Sequence, residues 1–291
     1  MGKSVRIKSF ELVAQDISDV DVHLLHALSA GVGWPHRPAD WEFLRQVGEG
    51  IVAVDEIGRV FGSAMWFQQS EDFATIGLVI TTTRSQAQGA GRWLMAQVLE
   101  RCKVSNLALN ATKAAYPLYL SLGFEHEATV FLNAGKVSAV PELGPAQGSL
   151  GKLPVSQIDE ILDCDSQGFG VNRAPVLEKL AETSSICVLR RDGKVVGYSM
   201  RRPFGGLEVI GPIVASNDED AIQLAAWHLK TMKGCQVRID TREESGPFAE
   251  FLTQCGLAPV EMTITMSKGR RFLNRSATAP WVFALAGHAL S

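Results

Sequence analysis

The sequence predicts an α/β (α+β) protein made of two tandem domains of similar fold. Three observations predict it: β-branched apolar runs alternate with segments of helical periodicity, a hairpin pattern occurs twice, and a stretch rich in glycine and proline separates the two copies. Of the 291 residues, 46% are hydrophobic and 20% are charged, which suits two well-buried globular domains better than one.

The elements of the first copy follow from the periodicity of its apolar residues. A strand is predicted over residues 5–13, helices over 20–30 and 38–47, a hairpin over 51–65, a strand from 76, a helix over 91–102, a strand over 106–110, a helix over 114–122 and a strand over 127–133. The order is therefore β-α-α-β-β-β-α-β-α-β.

An internal repeat supports the division into two domains. Residues 51–65 align without a gap on residues 186–200, and Gly58 and Gly193 occupy matching positions in the hairpin turns. The match continues with a shift of one residue and places Trp93 on Trp227. We therefore expect a first domain over residues 1–138, a linker over 139–154 and a second domain over 155–291.

The stretch over residues 76–95 carries the strongest functional signal. An apolar strand leads into a polar turn that contains Gly89 and Gly91, and an amphipathic helix follows. Glycines there let backbone N–H groups approach a ligand, and the amino terminus of a helix carries positive partial charge. The pattern predicts an anion site that suits a pyrophosphate.

Two common phosphate motifs fit this turn poorly. A nucleotide P-loop would need Lys followed by Ser or Thr after its last glycine, whereas Arg92 and Trp93 follow here. A dinucleotide fingerprint would need glycine at position 94, which is Leu94, and an acidic residue about twenty residues further on. The first motif is excluded and the second has little support.

The pattern Gln-x-x-Gly-x-Gly, formed by Gln86, Gly89 and Gly91, resembles the acetyl-CoA signature of the GCN5-related N-acetyltransferase (GNAT) superfamily. Residues 116–124, in which Tyr119 precedes a Leu-Gly-Phe turn, resemble its second motif. With residues 34–37, Trp41 and residues 284–287, the chain resembles a bacterial tandem type in which an active GNAT domain precedes a degenerate one. The resemblance implies that each domain is a mixed, mostly antiparallel twisted sheet flanked by helices.

The resemblance also implies that acetyl-CoA is a cosubstrate and assigns residues to it. The pantetheine arm would lie along the backbone of residues 79–81 like an added strand, and the N–H groups of the glycine turn would hold the pyrophosphate. Thr112 stands where an Asn that contacts pantetheine is frequent. The predicted cofactor-binding residues are Val79, Ile80, Thr81, Gln86, Ala87, Gln88, Gly89, Ala90, Gly91, Arg92 and Thr112.

For catalysis, the resemblance assigns Tyr119 as the acid that protonates the departing thiolate, since a phenol and a thiol have comparable basicity. Packing in the core is the alternative role for Tyr119. A backbone N–H near Ile80 would polarise the thioester carbonyl. For the general base, Glu71, Asp72 and His126 are weak candidates: Glu71 and Asp72 are better explained as a solvated hairpin turn, and His126 as an exposed strand residue. Five residues either line an acceptor pocket or pack in the core: Trp34, His36, Arg37, Trp41 and Trp66.

The second copy lacks these features. Residues 216–225 contain neither glycine, and Asp218, Glu219 and Asp220 place negative charge where a pyrophosphate would sit. These acids are typical of a capped helix amino terminus. Leu252 lies where Tyr119 would be. We expect one active domain and one structural copy.

Two functions are therefore open. The chain is either an acyltransferase that moves acetyl directly from acetyl-CoA to a primary amine of a small-molecule or peptide-like acceptor, or a non-catalytic acetyl-CoA/CoA-binding sensor or assembly module. The net charge of −3 gives no nucleic-acid signature, no segment is predicted to span a membrane, and the five spaced cysteines predict no metal site. We expect a cytoplasmic protein. The sequence leaves open the acceptor, the role of the second domain and the oligomeric state, including a homodimer.

Overall fold

The computed structural model describes residues 4–7, 10–83, 89–273, 276 and 279–291, without the side chains of residues 7 and 10. The first half contains β1 (Ser4–Ile7), β2 (Phe10–Asp16), α1 (Val22–Ala30), α2 (Pro38–Val47), β3 (Glu49–Val54), β4 (Val60–Gln68), β5 (Phe73–Thr81), α3 (Ala90–Arg101), β6 (Asn106–Thr112), α4 (Tyr116–Ser121) and β7 (Glu125–Lys136). The predicted order is confirmed except at residues 5–13, where β1 and β2 form a hairpin instead of one strand.

The second half repeats this order and adds a strand at its end. It contains β8 (Ser149–Leu153), α5 (Asp159–Phe169), α6 (Ala174–Ala181), β9 (Ser185–Arg191), β10 (Lys194–Phe204), β11 (Leu207–Ala215), α7 (Asp218–Leu229), β12 (Gln236–Thr241), α8 (Pro247–Gln254), β13 (Ala258–Lys268) and β14 (Trp281–Ala284). Both predicted hairpins are present, as β3–β4 and β9–β10. Among the described helices, none has the length and apolar character needed to cross a bilayer.

The described strands form one sheet in the order β1-β2-β3-β4-β5-β6-β13-β7-β12-β11-β10-β9-β8, with β14 beside β11. Among the described pairs, only β5–β6 and β11–β12 are parallel. The predicted fold class is confirmed, because each half contributes a mixed, largely antiparallel sheet flanked by helices.

The two halves exchange their last strands. β13 of the second half lies between β6 and β7 and pairs with both, while β7 pairs on its other side with β12. The sheet thus runs through both halves without a break, and the domain boundaries at residues 138 and 155 stay a prediction. Residues 149–153 of the predicted linker form β8, which pairs with β9.

The halves also share a hydrophobic core. Phe73 of the first half packs on Phe169 and Phe272 of the second, with ring centroids 6.3 and 5.3 Å apart. Trp41 and Tyr198 are fully buried in the same apolar cluster. Two further clusters lie under α3–α4 and under α7–α8. Because one cluster spans both halves, they stabilise each other by apolar burial.

Candidate active site

A V-shaped opening separates two parallel strands of the first half. β5 pairs with β6 only from Phe73 and Asn106 to Ile76 and Leu109, and β6 continues by pairing with β13 instead. Among the described strands, none pairs with the later residues of β5 on this side. An extended ligand can therefore add to this edge through main-chain hydrogen bonds.

A β-bulge lies where the strands separate. One residue of β4 opposes residues 78–79 of β5. Leu78 has a φ of 50°, in the left-handed region that residues other than glycine rarely adopt. The hydroxyl of Ser63 donates a hydrogen bond of 2.8 Å to the Leu78 carbonyl. A bulge turns backbone groups out of the regular ladder, and this one lies at the start of residues 79–81, which are predicted to contact pantetheine.

The amino terminus of α3 has no side-chain cap among the described residues. Gly89, which precedes the helix, has a φ of 89° that favours glycine, and neither a side-chain cap nor an acidic residue occupies the first turn. The first N–H groups of a helix lack partners within the helix and attract anions. Gly91 faces α4 closely, since a Cβ there would lie 3.3 Å from Cδ2 of Leu118. The terminus can therefore hold a phosphate group.

The other predicted cofactor contacts lie around this terminus or beyond the described residues. Arg92, in the first turn of α3, donates a hydrogen bond of 2.7 Å to the hydroxyl of Ser121 in α4. Thr112 ends β6, and its hydroxyl accepts a hydrogen bond of 3.3 Å from the N–H of Ala115. Three predicted contacts lie outside the described residues: Gln86, Ala87 and Gln88.

Tyr119 lies on α4 and is 5% exposed. Its ring contacts Phe124 edge to face, with centroids 5.9 Å apart, and no described residue forms a hydrogen bond with its hydroxyl. Burial raises the pKa of Tyr119 above its ordinary value, so the phenol is protonated at neutral pH and can act as a donor. The raised pKa weakens the predicted match in basicity between this phenol and a thiol, and the burial of Tyr119 in the same apolar cluster as Trp93 also suits a core residue.

A pocket of about 300 Å³ begins at the V-shaped opening and extends into the second half. The first half lines it with residues that include Trp34, His36, Gly77, Leu78, Asn110 and Thr112. The second half lines it with residues that include Arg202, Phe204, Arg238, Asp240, Thr263 and His288. The pocket therefore joins the predicted position of the thioester to a surface made by the second half.

The segment over residues 285–291 closes the base of the pocket. The hydroxyl of Thr75 donates a hydrogen bond of 2.7 Å to the carbonyl of Ala289, and the amide of Asn110 donates one of 2.8 Å to the carbonyl of His288. Gly77 permits this close approach, because a Cβ there would lie 2.4 Å from Cβ of Ala289. The second half is thus needed to complete the pocket.

Two ion pairs lie in the pocket lining. Arg37 donates two hydrogen bonds of 3.0 Å to Asp40, and Arg238 donates two of 2.7 Å to Asp240. Burial acts to raise the pKa of each carboxyl, but hydrogen bonds from Arg37 hold that of Asp40 below its usual value. The charges of His288 and Arg238 hold the pKa of the Asp240 carboxyl well below its usual value. Both carboxylates are therefore ionised and already neutralised.

Two buried nitrogen atoms of the pocket residues have no hydrogen-bond partner among the described residues: Nδ1 of His36 and Nε of Arg202. Burial lowers the pKa of His36 to about 4, so its ring is neutral at pH 7. The ring contacts Phe204 edge to face, with centroids 5.1 Å apart. Burial lowers the pKa of Arg202 to about 10, which leaves this guanidinium charged at neutral pH.

The sequence-predicted base candidates lie away from the pocket. Glu71 and His126 are exposed, and neither lines it. Asp72 accepts hydrogen bonds from Ser70 and Asn106 in the turn before β5. Glu261 is the pocket carboxylate that has no ion pair among the described residues.

The five aromatic and polar pocket candidates divide into two groups. Trp34, His36 and Arg37 line the pocket. Trp41 and Trp66 lie in the core at 0% and 5% exposure, and the indole N–H of Trp41 donates to the hydroxyl of Ser29 at 3.2 Å. The segment before α2 therefore forms one wall of the pocket, as the resemblance implies.

Sequence reasoning missed the pocket residues of the second half. Arg202 lies two residues before the end of β10, and Arg238 and Asp240 alternate with apolar residues along β12. Charged residues two apart on an otherwise apolar strand share one face, which is a signal that they pair or bind a ligand. Nothing in the sequence placed that face beside the first half, since the strand exchange brings it there.

The second half keeps the bulge but fills the equivalent groove. The β10–β11 register slips at Gly211 and Pro212, in the position of residues 78–79. β14 then pairs with β11 over Ile213–Ala215. At α7, the side chain of Asn217 accepts a hydrogen bond of 2.9 Å from the N–H of Asp220. The helix terminus and strand edge that are open in the first half are therefore occupied here.

Comparison with known proteins places both halves in one superfamily. Two sequence-family profiles, each described as an acetyltransferase (GNAT) domain, match residues 39–140 and 161–279. A search of curated protein sequences gave no significant match.

Solved structures share the whole tandem arrangement. An acetyltransferase candidate from Pyrococcus horikoshii has a TM-score of 0.80 and 18% identity, with 100% of this chain and 99% of that chain covered. A GCN5-related N-acetyltransferase from Sphaerobacter thermophilus has a TM-score of 0.60 and 14% identity, with 92% and 98% covered. A tandem GNAT protein from the clavulanic acid biosynthesis pathway has a TM-score of 0.59 and 14% identity, with 89% and 99% covered. These similarities establish the fold.

Proposed function

Because the chain belongs to the GNAT superfamily as a tandem protein, we propose that it is an N-acetyltransferase that binds acetyl-CoA in its first half. The acceptor is a primary amine of a small molecule or a peptide-like compound, held in the pocket between the halves. One observation carries the proposal: the open edge of β5 runs from Leu78, which lines the pocket, to Thr81, whose Cγ2 lies 3.9 Å from where a Cβ on Gly91 at the start of α3 would be.

The chain's own groups suit the binding of acetyl-CoA. The edge of β5 supplies main-chain donors and acceptors for the pantetheine amides. The N–H groups at the start of α3 and the guanidinium of Arg92 supply positive charge for the pyrophosphate. Acid side chains are absent from the first turn of α3, so nothing there repels the ligand.

Direct transfer requires two proton movements, which we assign to Tyr119 on α4, outside the pocket lining, and to Glu261 in the pocket. The amine nitrogen forms a bond to the acetyl carbon and the carbon–sulfur bond breaks, so the amine loses a proton and the sulfur gains one. Tyr119, held protonated by burial, supplies the proton to sulfur. Glu261, the pocket carboxylate without an ion pair among the described residues, is the group that we assign to accept the amine proton.

The proposal is tested by measuring binding and turnover on the same preparation. Calorimetry should detect acetyl-CoA binding, and a panel of primary amines should include compounds that release free CoA thiol faster than the no-amine control. A sensor or assembly module would show only stabilisation, about 2.7 kcal/mol at a hundredfold excess over the dissociation constant. Absence of acetyl-CoA binding would reject both functions.

A further inference from the structure

The pocket holds one more positive charge than its buried carboxylates neutralise. Three guanidinium groups line it, and Arg37 and Arg238 are each paired with their own aspartate. Arg202 has no carboxylate within ion-pair distance among the described residues. The third pocket carboxylate, Glu261, is exposed. A charge that is taken out of water without a partner costs several kcal/mol, so an unpaired Arg202 needs an explanation.

Arg202 is held firmly but incompletely bonded. It is 8% exposed, and its Nη2 donates a hydrogen bond of 2.5 Å to the carbonyl of Ala286. Its guanidinium carbon lies 5.5 Å from the ring centroid of Phe204. Its buried Nε has no partner among the described residues. A guanidinium has five N–H donors in a fixed fork that matches a carboxylate or a phosphate, and here part of that fork is unused.

A second unused donor lies in the same pocket. Thr263 is 3% exposed, and its Oγ1 has no hydrogen-bond partner among the described residues. β13 brings Thr263 into the pocket opposite Thr112 of β6. A buried hydroxyl and a buried guanidinium without partners both favour a ligand that accepts hydrogen bonds.

We propose that Arg202 binds an anionic group of the acceptor, and that the acceptor is therefore a small primary amine that also carries a carboxylate or a phosphate. This inference rests on the proposed function, because it names the class of amine that the pocket takes. The amine end lies towards Leu78, where the acetyl group is delivered, and the anionic end lies towards the second half. The second half then selects the acceptor.

Matched pairs of amines test the inference on the wild-type protein. 4-Aminobutyrate is compared with its neutral amide, and O-phosphoethanolamine with ethanolamine, in NMR titrations that follow the arginine Nε–H signals up to about 10 mM ligand. We expect at least one anionic member to bind about tenfold or more tightly than its neutral twin. Equal binding within both pairs, or no binding by either anion, would overturn the inference. The two pairs distinguish carboxylate from phosphate.

Variants of neighbouring arginines locate the effect. Arg202→Gln should abolish the preference for the anion, and Arg202→Lys should keep part of it. Arg201→Gln is the matched control, because Arg201 is adjacent on β10, pairs with Glu208 at 3.6 Å and does not line the pocket. If Arg202→Gln does not fold, the inference is still tested by the amine pairs measured on the wild-type protein and on Arg202→Lys. An unchanged preference in Arg202→Gln would overturn the inference.

Acetyl-CoA affinity on the same samples separates the two hypotheses. Loss of acetyl-CoA binding would reject the proposed function. Normal acetyl-CoA binding without a preference for anionic amines would reject the inference alone.

Discussion

The helix terminus that follows the bulged strand differs sharply between the two halves. Among the described residues, α3 begins after Gly89 with no side-chain cap and no acid in its first turn, whereas α7 is capped by Asn217 and has three acids there. Trp227 lies nine residues after the start of α7, whereas Trp93 lies three residues after the start of α3. Because both helices contain 12 residues, the two tryptophans that the repeat aligns do not occupy equivalent positions in them.

The strand edges differ in the same direction. Beyond its bulge, β5 has no strand beside it on the β6 side among the described residues, but β11 pairs there with β14. The bulge of β11 contains Pro212, which has no N–H to donate, whereas both residues of the β5 bulge, Leu78 and Val79, have one. The second half therefore keeps the bulge although residue 212 has no backbone N–H. This indicates that the packing of the fold does not depend on a hydrogen bond from that N–H to a ligand.

The second half nevertheless shapes the first. β13 inserts beside β6, and residues 285–291 close the base of the pocket. Arg202 and Arg238 come from strands of the second half. The comparison therefore suggests a division in which one half binds the cosubstrate and the other completes the acceptor site.

The largest expected effect concerns Tyr119, whose sequence counterpart in the second half is Leu252. Tyr119→Phe should lower kcat about 100-fold or more, because general acid catalysis typically contributes that much, while acetyl-CoA affinity stays unchanged. Steady-state kinetics of CoA release and calorimetry measure the two quantities. Tyr116→Phe, one turn earlier on α4, is the control. A normal kcat in Tyr119→Phe would show that Tyr119 is not the acid, so that its replacement by Leu252 in the second half would carry no catalytic meaning.

A somewhat smaller effect is expected when an acid is placed at the start of α3, as in the first turn of α7. Gly89→Asp should weaken acetyl-CoA binding about tenfold to hundredfold, because two like charges a few ångströms apart near a protein surface repel by a few kcal/mol. Gly58→Asp is the matched control: both glycines have a positive φ, near 89° and 78°, and open space around Cβ. Equal affinities in the two variants, measured by calorimetry, would contradict the electrostatic contrast.

Local sequence signals predicted much of this architecture. The spacing of apolar residues located α2 at its observed bounds, and paired glycines located both hairpin turns, since Gly58 and Gly193 have φ values of 78° and 77°. The Gly89 turn and the helix after it followed from the same kind of local pattern. Such features depend on a few adjacent residues, which is why the sequence displays them.

The strand exchange and the second wall of the pocket depend on contacts distant in sequence. Thr263 pairs with Thr112, and Asn110 binds the carbonyl of His288. No local pattern distinguishes β13 beside β6 from β13 beside β12, because strand pairing is decided by contacts between residues that are distant in sequence. The place of Arg202 in the pocket depends on the same distant contacts, and the sequence does not show which of the base candidates faces the bulge.

Acid should weaken both halves by a similar amount. Burial lowers the pKa of His36 to about 4 and that of His228 to about 3. Below about pH 6.5 the unfolded chain binds protons that the folded chain does not, so stability falls as the pH is lowered, and the loss is complete only below the folded-state pKa. Between pH 7 and pH 5, each histidine should cost about 2 kcal/mol of unfolding free energy.

Urea denaturation at several pH values checks this expectation. His36→Gln and His228→Gln should each remove about half of the fall in stability, whereas His23→Gln, at an exposed position, should remove none of it. A fall that is the same in all three variants would assign the acid sensitivity to other groups.

The smallest effect is expected for Asp220, a buried acid in the first turn of α7, where α3 has no acid. Asp220 is 2% exposed and accepts hydrogen bonds of 3.0 and 2.5 Å from Arg191, so this carboxylate serves the structure of the second half. Asp220→Asn should reduce the free energy of unfolding by about 1–2 kcal/mol, since it weakens a largely buried charged hydrogen bond, and should leave acetyl-CoA affinity and stoichiometry unchanged. Glu219→Gln, at an exposed position in the same turn, should change neither quantity. A second acetyl-CoA bound per chain in Asp220→Asn would show that one charge, rather than the combined effect of β14, Pro212 and the capped helix, keeps the ligand out of the second half.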